Sequence, residues 1–389
     1  MGEALREAHV GEGYGPVMAR EPSAQTGARS WSYRPAVSTG SARTPRVTIV
    51  DIARAANVSK GAVSYALNGR PGVSTETRKR ILAIAAELGW YPHSAARALS
   101  RDSARTVGLV LSRPAATLAV EPFFMELIAG IEAELSARSI GLTLQLVSDV
   151  AAEIEVYERW WAERRVDGTL LVDLLVDDPR IAAVEALGMP AVVVGGPEGA
   201  GGLSSVGSAD EPAMEEVVRY LALLGHRRIG RVAGTEGFLH TVVRTRRFLS
   251  VARALGVTSV VVHTDFGRDS SVDATRRLLS AHQPPTAIIY DNDVMAVAGL
   301  GVAHEAGLRV PEEVSIISWE DSYFCEAVHP SLTALSRDVT AHGASAAREL
   351  LRLLQGGEPM HRTLAPARLS VRRSTGPAPF LPGRRLPAG

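Results

Sequence analysis

Residues 48–100 read TIVDIARAANVSKGAVSYALNGRPGVSTETRKRILAIAAELGWYPHSAARALS, a run of short helices separated by strong breaks. Thr48 is a helix cap, and Asp51 three residues on puts a carboxylate near the positive end of the helix dipole. Ile52, Ala53 and Ala56 give this first helix a small apolar face. Asn57 and Val58 break it, and Ser59 caps a second helix running to about Leu67. At about 100° per residue, Val63, Ala66 and Leu67 share one face of that helix. Lys60, Gly61, Ser64 and Tyr65 share the other and are free to touch something outside. Asn68-Gly69-Arg70-Pro71-Gly72 ends it. Ser74 caps a third helix, through Leu88, with Ile81, Leu82, Ile84, Ala85 and Leu88 as its core side and Gly89 as its stop. Pro92 follows, and Ser94 caps a last short helix from Ala95 to about Leu99. Two short helices joined by a tight turn are the shape that sets a helix into the DNA major groove.

This ungapped stretch resembles the DNA-binding headpiece and hinge of the lactose-repressor (LacI) family of bacterial transcription regulators. The resemblance implies that Lys60 and Tyr65 reach base edges, with Gly61 and Ala62 at the other reading positions. Lys60 can donate to guanine O6 or N7, whereas Gly61 offers no donor and permits close approach. Ser59, Ser64 and Asn68 are expected on phosphates, where they set register without reading sequence. Thr48 and Arg97 complete the expected DNA-facing set. The hinge helix implied at 93–105 carries Leu99 where family members wedge a leucine into the minor groove, and Ala95, Ala96 and Ala98 allow two such helices to pair closely. The alternatives are a Tyr65 ring packed on the headpiece core and a Leu99 side chain packed on its own domain.

Overall charge is zero, with 42 basic and 42 acidic residues in 389, but its distribution is uneven. Residues 43–105 hold eleven basic residues against four acidic ones, residues 1–42 balance, and the remainder is acidic. Phosphate neutralisation needs local positive charge rather than a basic whole. A single cysteine, Cys325, excludes an internal disulfide and fits a reducing compartment. No apolar run is long enough to cross a bilayer and no export signal is evident, so a soluble cytoplasmic protein is expected.

Residues 1–45, rich in Gly, Ser, Ala, Arg and Pro, are expected to be disordered, and they precede the usual start of the family. From 106 onward apolar strands alternate with helices. Strands are expected at 107–112, 142–147, 168–172, 190–194, 228–233, 259–263, 286–290 and 314–318. Helices are expected at 123–139, 154–165, 211–224, 244–255, 271–281 and 293–306. Such alternation predicts an α/β fold of parallel sheets with helices on both faces. The resemblance extends here to the family's effector-binding domain, of the type I periplasmic-binding-protein fold, up to about Arg373. It implies two doubly wound subdomains joined by three crossings, an N-terminal one at 106–196 and 323–355 and a C-terminal one at 197–322 and 356–375. Residues 376–389 are expected to form a loose Pro-rich tail.

Ligands of open α/β sheets bind beyond the carboxyl ends of strands. Phe123 and Phe124, at the start of a helix, match pocket positions of the family, and the resemblance implies that they stack on a sugar or base. Arg244, expected at a helix start after Phe238 and His240, matches an arginine that grips ligand hydroxyls or carboxylate. Asp293 and Glu320 each follow a strand, Glu320 standing where the family more often has aspartate. Trp319 is either pocket wall or core, and Trp160 and Trp161 are read as helix packing. Aromatic faces with carboxylates and an arginine suit a polyhydroxylated ligand.

Catalysis is not expected. The Gly-rich run 195–202 lacks the Lys-Ser/Thr ending of a phosphate loop, and the histidines lack metal-ligand spacing. No cofactor or metal is called for. The expected partners are operator DNA, a second copy of the chain and a small sugar-like effector, without a membrane. The alternatives are a purine or nucleoside corepressor, and a sugar-binding protein that does not bind DNA.

Overall fold

The computed structural model describes residues 47–90, 103–113, 118 and 120–379. It divides into two compact units, one through Tyr91 and one from Pro92. The expected hinge helix, with Ala95, Ala96, Arg97, Ala98 and Leu99, lies outside the described residues, as does the 1–45 extension.

The first unit holds α1 (Ile49–Ala56), α2 (Lys60–Leu67) and α3 (Thr75–Glu87). The Asp51 carboxylate accepts from the Thr48 amide at 2.9 Å and from the Thr48 hydroxyl at 2.7 Å. These bonds hold the Asp51 carboxyl below its ordinary range. Asn57 takes up the left-handed conformation, φ 50°, that ends α1 within one residue. Ser59 accepts from the Ala62 amide at 3.1 Å, and Ser74 from the Thr77 amide at 3.2 Å. Ile52, Ala56, Val63, Ala66, Ile81 and Ala85 are buried together between the three helices. Leu82 and Leu88, expected in that core, are exposed. Ile81 and Ala85, one turn apart, already fill the seam, and Leu82 is rotated about 100° from Ile81. Leu88 is the C-cap, beyond the last turn that packs.

The second unit is built on two six-stranded sheets. The first contains β1 (Thr106–Leu111), β2 (Gly141–Leu146), β3 (Gly168–Leu171), β4 (Ala191–Val194), β5 (Ser204–Ser208) and β11 (His361–Leu364), in the order β11-β5-β4-β3-β1-β2 and parallel throughout. The second contains β6 (Arg228–Ala233), β7 (Thr258–His263), β8 (Ala287–Tyr290), β9 (Ser315–Ser318), β10 (Thr333–Ser336) and β12 (Arg368–Ser370). Its order is β12-β10-β9-β8-β6-β7, with only β12 antiparallel. Helices α4 (Pro122–Ser136), α5 (Val150–Ala162), α6 (Pro179–Leu187) and α12 (Val339–Leu353) belong with the first sheet. Helices α7 (Asp210–Leu223), α8 (Leu239–Ala254), α9 (Arg268–Leu279), α10 (Asp293–Glu305) and the short α11 (Tyr323–Ala327) belong with the second. Among the described residues no helix is long and apolar enough to cross a membrane.

The chain crosses between the sheets three times, after β5, after β10 and after β11. The boundaries differ from those expected. β5 pairs with β4 in the first sheet, although 197–322 was assigned to the C-terminal subdomain. β10 pairs with β9 in the second sheet, although 323–355 was assigned to the N-terminal one. β11 pairs with β5 in the first sheet, although 356–375 is expected in the C-terminal subdomain. All three are short strands whose partners are fixed by long-range pairing, which local pattern does not carry. The helix expected at 244–255 begins at Leu239, so Arg244 sits in its second turn; the N-cap Phe238 makes no side-chain cap bond that would mark the start. Residues 376–378, expected in a loose tail, are bonded to the second sheet's layer. Gly376 takes a bond from His226 and Ala378 donates to the Leu224 carbonyl at 2.8 Å, pinning this stretch to the second sheet's layer.

Helices α4 and α12 touch backbone to backbone. A Cβ at Gly130 would lie 1.9 Å from the Thr340 carbonyl oxygen, and one at Gly343 would lie 2.1 Å from that of Leu127. Rigid backbone on both sides forces the helices apart if either glycine gains a methyl group. Gly130→Ala and Gly343→Ala are each expected to lower unfolding stability by about 1–3 kcal/mol in denaturant titration. Unchanged midpoints in both would contradict this packing.

Candidate functional site

On α2, Lys60, Gly61 and Tyr65 are exposed, while Val63 and Ala66 are buried. Tyr65 is 44% exposed, and its ring rests against Gly72, where a Cβ would come within 3.2 Å of it. Ser59 and Thr48 stand at the N-terminal ends of α2 and α1, their hydroxyls engaged in the caps given above. Ala62 and Ser64 are half-buried. The Asn68 side-chain amide donates to the Ser64 carbonyl at 2.9 Å, so it closes α2. The outward face of α2 thus offers one ammonium, one phenol and a bare backbone at Gly61, a set able to approach base edges closely.

The second unit has a cleft of about 390 Å³ between its two sheets, lined by the ends of β1, β3, β4, β5, β8 and β9 and by the starts of α4, α7, α8 and α10. Phe123, Phe124, His240, Arg244, Asp293 and Glu320 all line it. Phe238 and Trp319 stand behind the wall instead. Trp319 is buried in the core with the Arg244 guanidinium carbon 4.5 Å from its ring centre. Phe238 stacks on His240 at 5.6 Å and lies 4.7 Å from the Arg113 guanidinium. Both aromatics brace cleft cations by cation–π contact. Trp160 is fully buried and Trp161 packs at the edge of the same core.

The cations of the cleft are already paired. Arg113 donates to Asp173 at 2.9 Å and lies 4.5 Å from the Phe266 ring centre. Arg244 donates to Asp210 at 2.7 Å. Arg337 hydrogen-bonds Glu320, is 3.8 Å from Asp210 and sits 5.5 Å from the Phe123 ring centre. Behind them Arg231 donates to Asp291, which also accepts from the Gly234 amide at 2.9 Å, with both charged groups fully buried. Burial raises the Asp173 and Asp210 carboxyls, but the neighbouring arginines overcome it and hold both low. Burial wins at Glu320 and Asp293 and moves both up. Burial, then the Arg244 charge, pushes His240 down to about 4, so its imidazole is neutral at neutral pH.

Several contacts close the cleft. Asn292 donates to Glu121 at 2.8 Å from the opposite side. The Leu239 amide donates to the Leu174 carbonyl at 2.7 Å, and the Val176 amide to the Gly237 carbonyl at 3.1 Å. Arg113, Glu121, Asp173, Asp210, Asn292 and Arg337 were not among the residues singled out from sequence. Arg113 and Asp173 each stand just past a strand's carboxyl end, a signal that was available. Asp210 and Arg337 sit beside crossings whose strands were not recognised. Among the described residues no group of three His, Cys, Asp or Glu side chains is arranged to hold a metal ion.

Residues 48–93 match the family described as bacterial regulatory proteins, lacI family, and residues 218–375 match the periplasmic binding protein-like domain. The transcriptional regulator CelR of Thermobifida fusca is 32% identical over 339 residues, covering 85% of this chain and 99% of that protein. The chain belongs to the LacI family of transcription regulators. The solved complex of CelR with cellobiose superposes with a TM-score of 0.65 at 31% identity, over 85% of this chain and all of that one. The lac repressor dimer bound to operator and an anti-inducer gives 0.75 at 25% identity, over 85% and 99%. The transcriptional repressor PurR of Escherichia coli is 30% identical over 345 residues, covering 87% of this chain and 99% of that protein.

One carboxyl in this LacI-family cleft stands out for its proton. Burial, opposed by Arg113, pushes Glu121 up to about 7. A carboxyl with a raised folded-state pKa favours folding below its unfolded value and loses that contribution as pH rises through the folded value. Between about pH 4.5 and 7 the native protein is therefore expected to lose stability relative to Glu121→Gln, by on the order of 2 kcal/mol. Parallel stability curves for the two proteins from pH 5 to 8 would contradict the buried setting of Glu121.

Proposed function

We propose that this protein is a repressor that binds a near-palindromic operator as a homodimer and is released by a neutral sugar bound in the cleft. The observation that carries the effector class is charge. Three arginines line the cleft against eight carboxyl groups, and each arginine is already paired with one of them. An anionic ligand would meet an excess of negative charge with no free cation among these groups, at high cost in a low-dielectric site. A polyol instead donates and accepts by turns, and its apolar faces can rest on Phe123, Phe124 and Phe266, which also line the cleft. The similarity to CelR, solved with cellobiose, supports the same class.

The DNA side rests on the exposed face of α2, with Lys60 and Tyr65 reading bases and Gly61 and Ala62 allowing approach. Ser59, Ser64, Asn68 and Thr48 set the helix on the backbone. The hinge carries Arg97 and the Leu99 wedge. Twofold symmetry of the dimer would match half-site symmetry in the operator. In a second reading a purine acts as corepressor, its ring stacked on Phe123 and Phe124.

A mobility-shift titration on the protein's own upstream region tests these readings. Glucose, galactose, maltose, cellobiose, hypoxanthine and guanine are added in turn. A sugar is expected to release the specific complex. Lys60→Ala is expected to weaken specific binding about 10-fold. Leu99→Ala should weaken specific binding more than binding to random competitor. Strengthening by a purine with no response to sugars would establish the second reading, and equal binding to every duplex would overturn both.

A further inference from the structure

Glu121 lines the cleft one residue before α4 and has an incomplete set of partners. Its Oε1 accepts from the Asn292 amide at 2.8 Å. Its Oε2 is buried without a hydrogen-bond partner, in a residue 7% exposed. The carboxyl does not turn back to cap its own helix, and Pro122 at the first helical position has no N–H to offer. Arg113, close enough to act on its charge, spends its Nε on Asp173 and its guanidinium face on Phe238 and Phe266. The other carboxyls of the cleft are better served. Asp173 and Asp210 face arginines, Glu320 faces Arg337, and Asp293 takes bonds from Ser322 and the Val294 amide. A buried carboxyl oxygen without a partner is uncommon in a folded protein and calls for one.

We propose that Glu121 is a specificity-determining residue of the cleft: its free Oε2 pairs with one hydroxyl of the bound sugar while Oε1 stays on Asn292. The inference rests on the reading of the cleft as a neutral-sugar site and deepens it. Asn292 comes from the opposite subdomain, so the Oε1 bond spans the cleft and leaves Oε2 without a protein partner. A hydroxyl pairs with it whether the carboxyl is ionised or protonated, because a hydroxyl both donates and accepts. A sugar that lacks that hydroxyl leaves a buried polar atom unpaired, which penalises the wrong sugar more than it strengthens the right one. Glu121 therefore acts on discrimination among sugars, a different task from the stacking done by Phe123 and Phe124.

The test is calorimetric titration of the full chain with glucose, galactose, maltose and cellobiose, then with singly deoxygenated forms of the tightest binder. Wild type, Glu121→Gln and Glu121→Ala are compared. One hydroxyl is expected whose removal costs wild type about 10-fold in affinity and costs Glu121→Ala less than about twofold. Glu121→Gln keeps the size of the side chain and guards against misfolding of the alanine variant. It should still bind the sugar, with the cost of removing that same hydroxyl changed by at least about threefold. Sugar binding in which every deoxy form ranks alike in wild type and both variants would overturn the role of Glu121 alone. Failure of all four sugars to bind wild type would overturn the sugar reading and this inference with it.

Discussion

Asp210 and Arg337 meet, 3.8 Å apart, beside two of the three places where the chain crosses from one sheet to the other. Arg244 from α8 shares the same carboxylate, and Glu320, just past β9, shares the same guanidinium. The junction between the subdomains and the floor of the cleft are therefore one cluster of paired charges. Removing one partner of such a buried set strands another charge in low dielectric, which holds the arrangement together. A ligand hydroxyl that joins the cluster competes with bonds that also fix the pose of the two sheets. Under the proposed function, occupancy of the cleft and the relative pose of the subdomains would become one equilibrium, the condition for a sensor.

The same cluster bears on which ligand the proposed function assigns to the cleft. Each arginine facing the cleft is committed to an acid and backed by an aromatic ring, Arg113 by Phe266, Arg244 by Trp319 and Arg337 by Phe123. These cations shape the wall more than they wait for an anion. On the headpiece the opposite holds, where Lys60 stands exposed at the start of α2. Under the proposed function, Lys60 would face a phosphate backbone while the acid excess of the cleft would suit a neutral ligand, in one chain of zero net charge.

The headpiece was legible because its signals are local. Thr48, Ser59 and Ser74 cap helices within three residues of their bonds, and Asn57 and Gly89 end them through their own backbone conformation. The apolar strands β1, β6, β8 and β9 were legible for the same reason. β5, with the sequence SSVGS, and β11, HRTL, were not, since β5 is held between β4 and β11, and β11 is a strand through its pairing with β5, Ser205 against His361. The site divides likewise. Asp293 and Glu320 announce themselves at strand ends, while their surroundings depend on tertiary neighbours such as Ser322 and Arg337. Trp319 and Phe238 also sit at strand or helix ends, but whether an aromatic faces a cleft or backs a cation depends on which arginine arrives behind it. Leu82 shows the limit of periodicity on a helix whose small core is filled by Ile81 and Ala85.

The central claim is that sugar in the cleft and operator on α2 bind in opposition. Linkage makes the coupling reciprocal, so it can be read from the sugar side. The direct measurement is the dissociation constant of the releasing sugar for the free protein and for the protein saturated with operator. The account predicts weaker sugar binding to the complex, by the same factor by which saturating sugar weakens operator binding. Equal sugar affinity in the two states would contradict it.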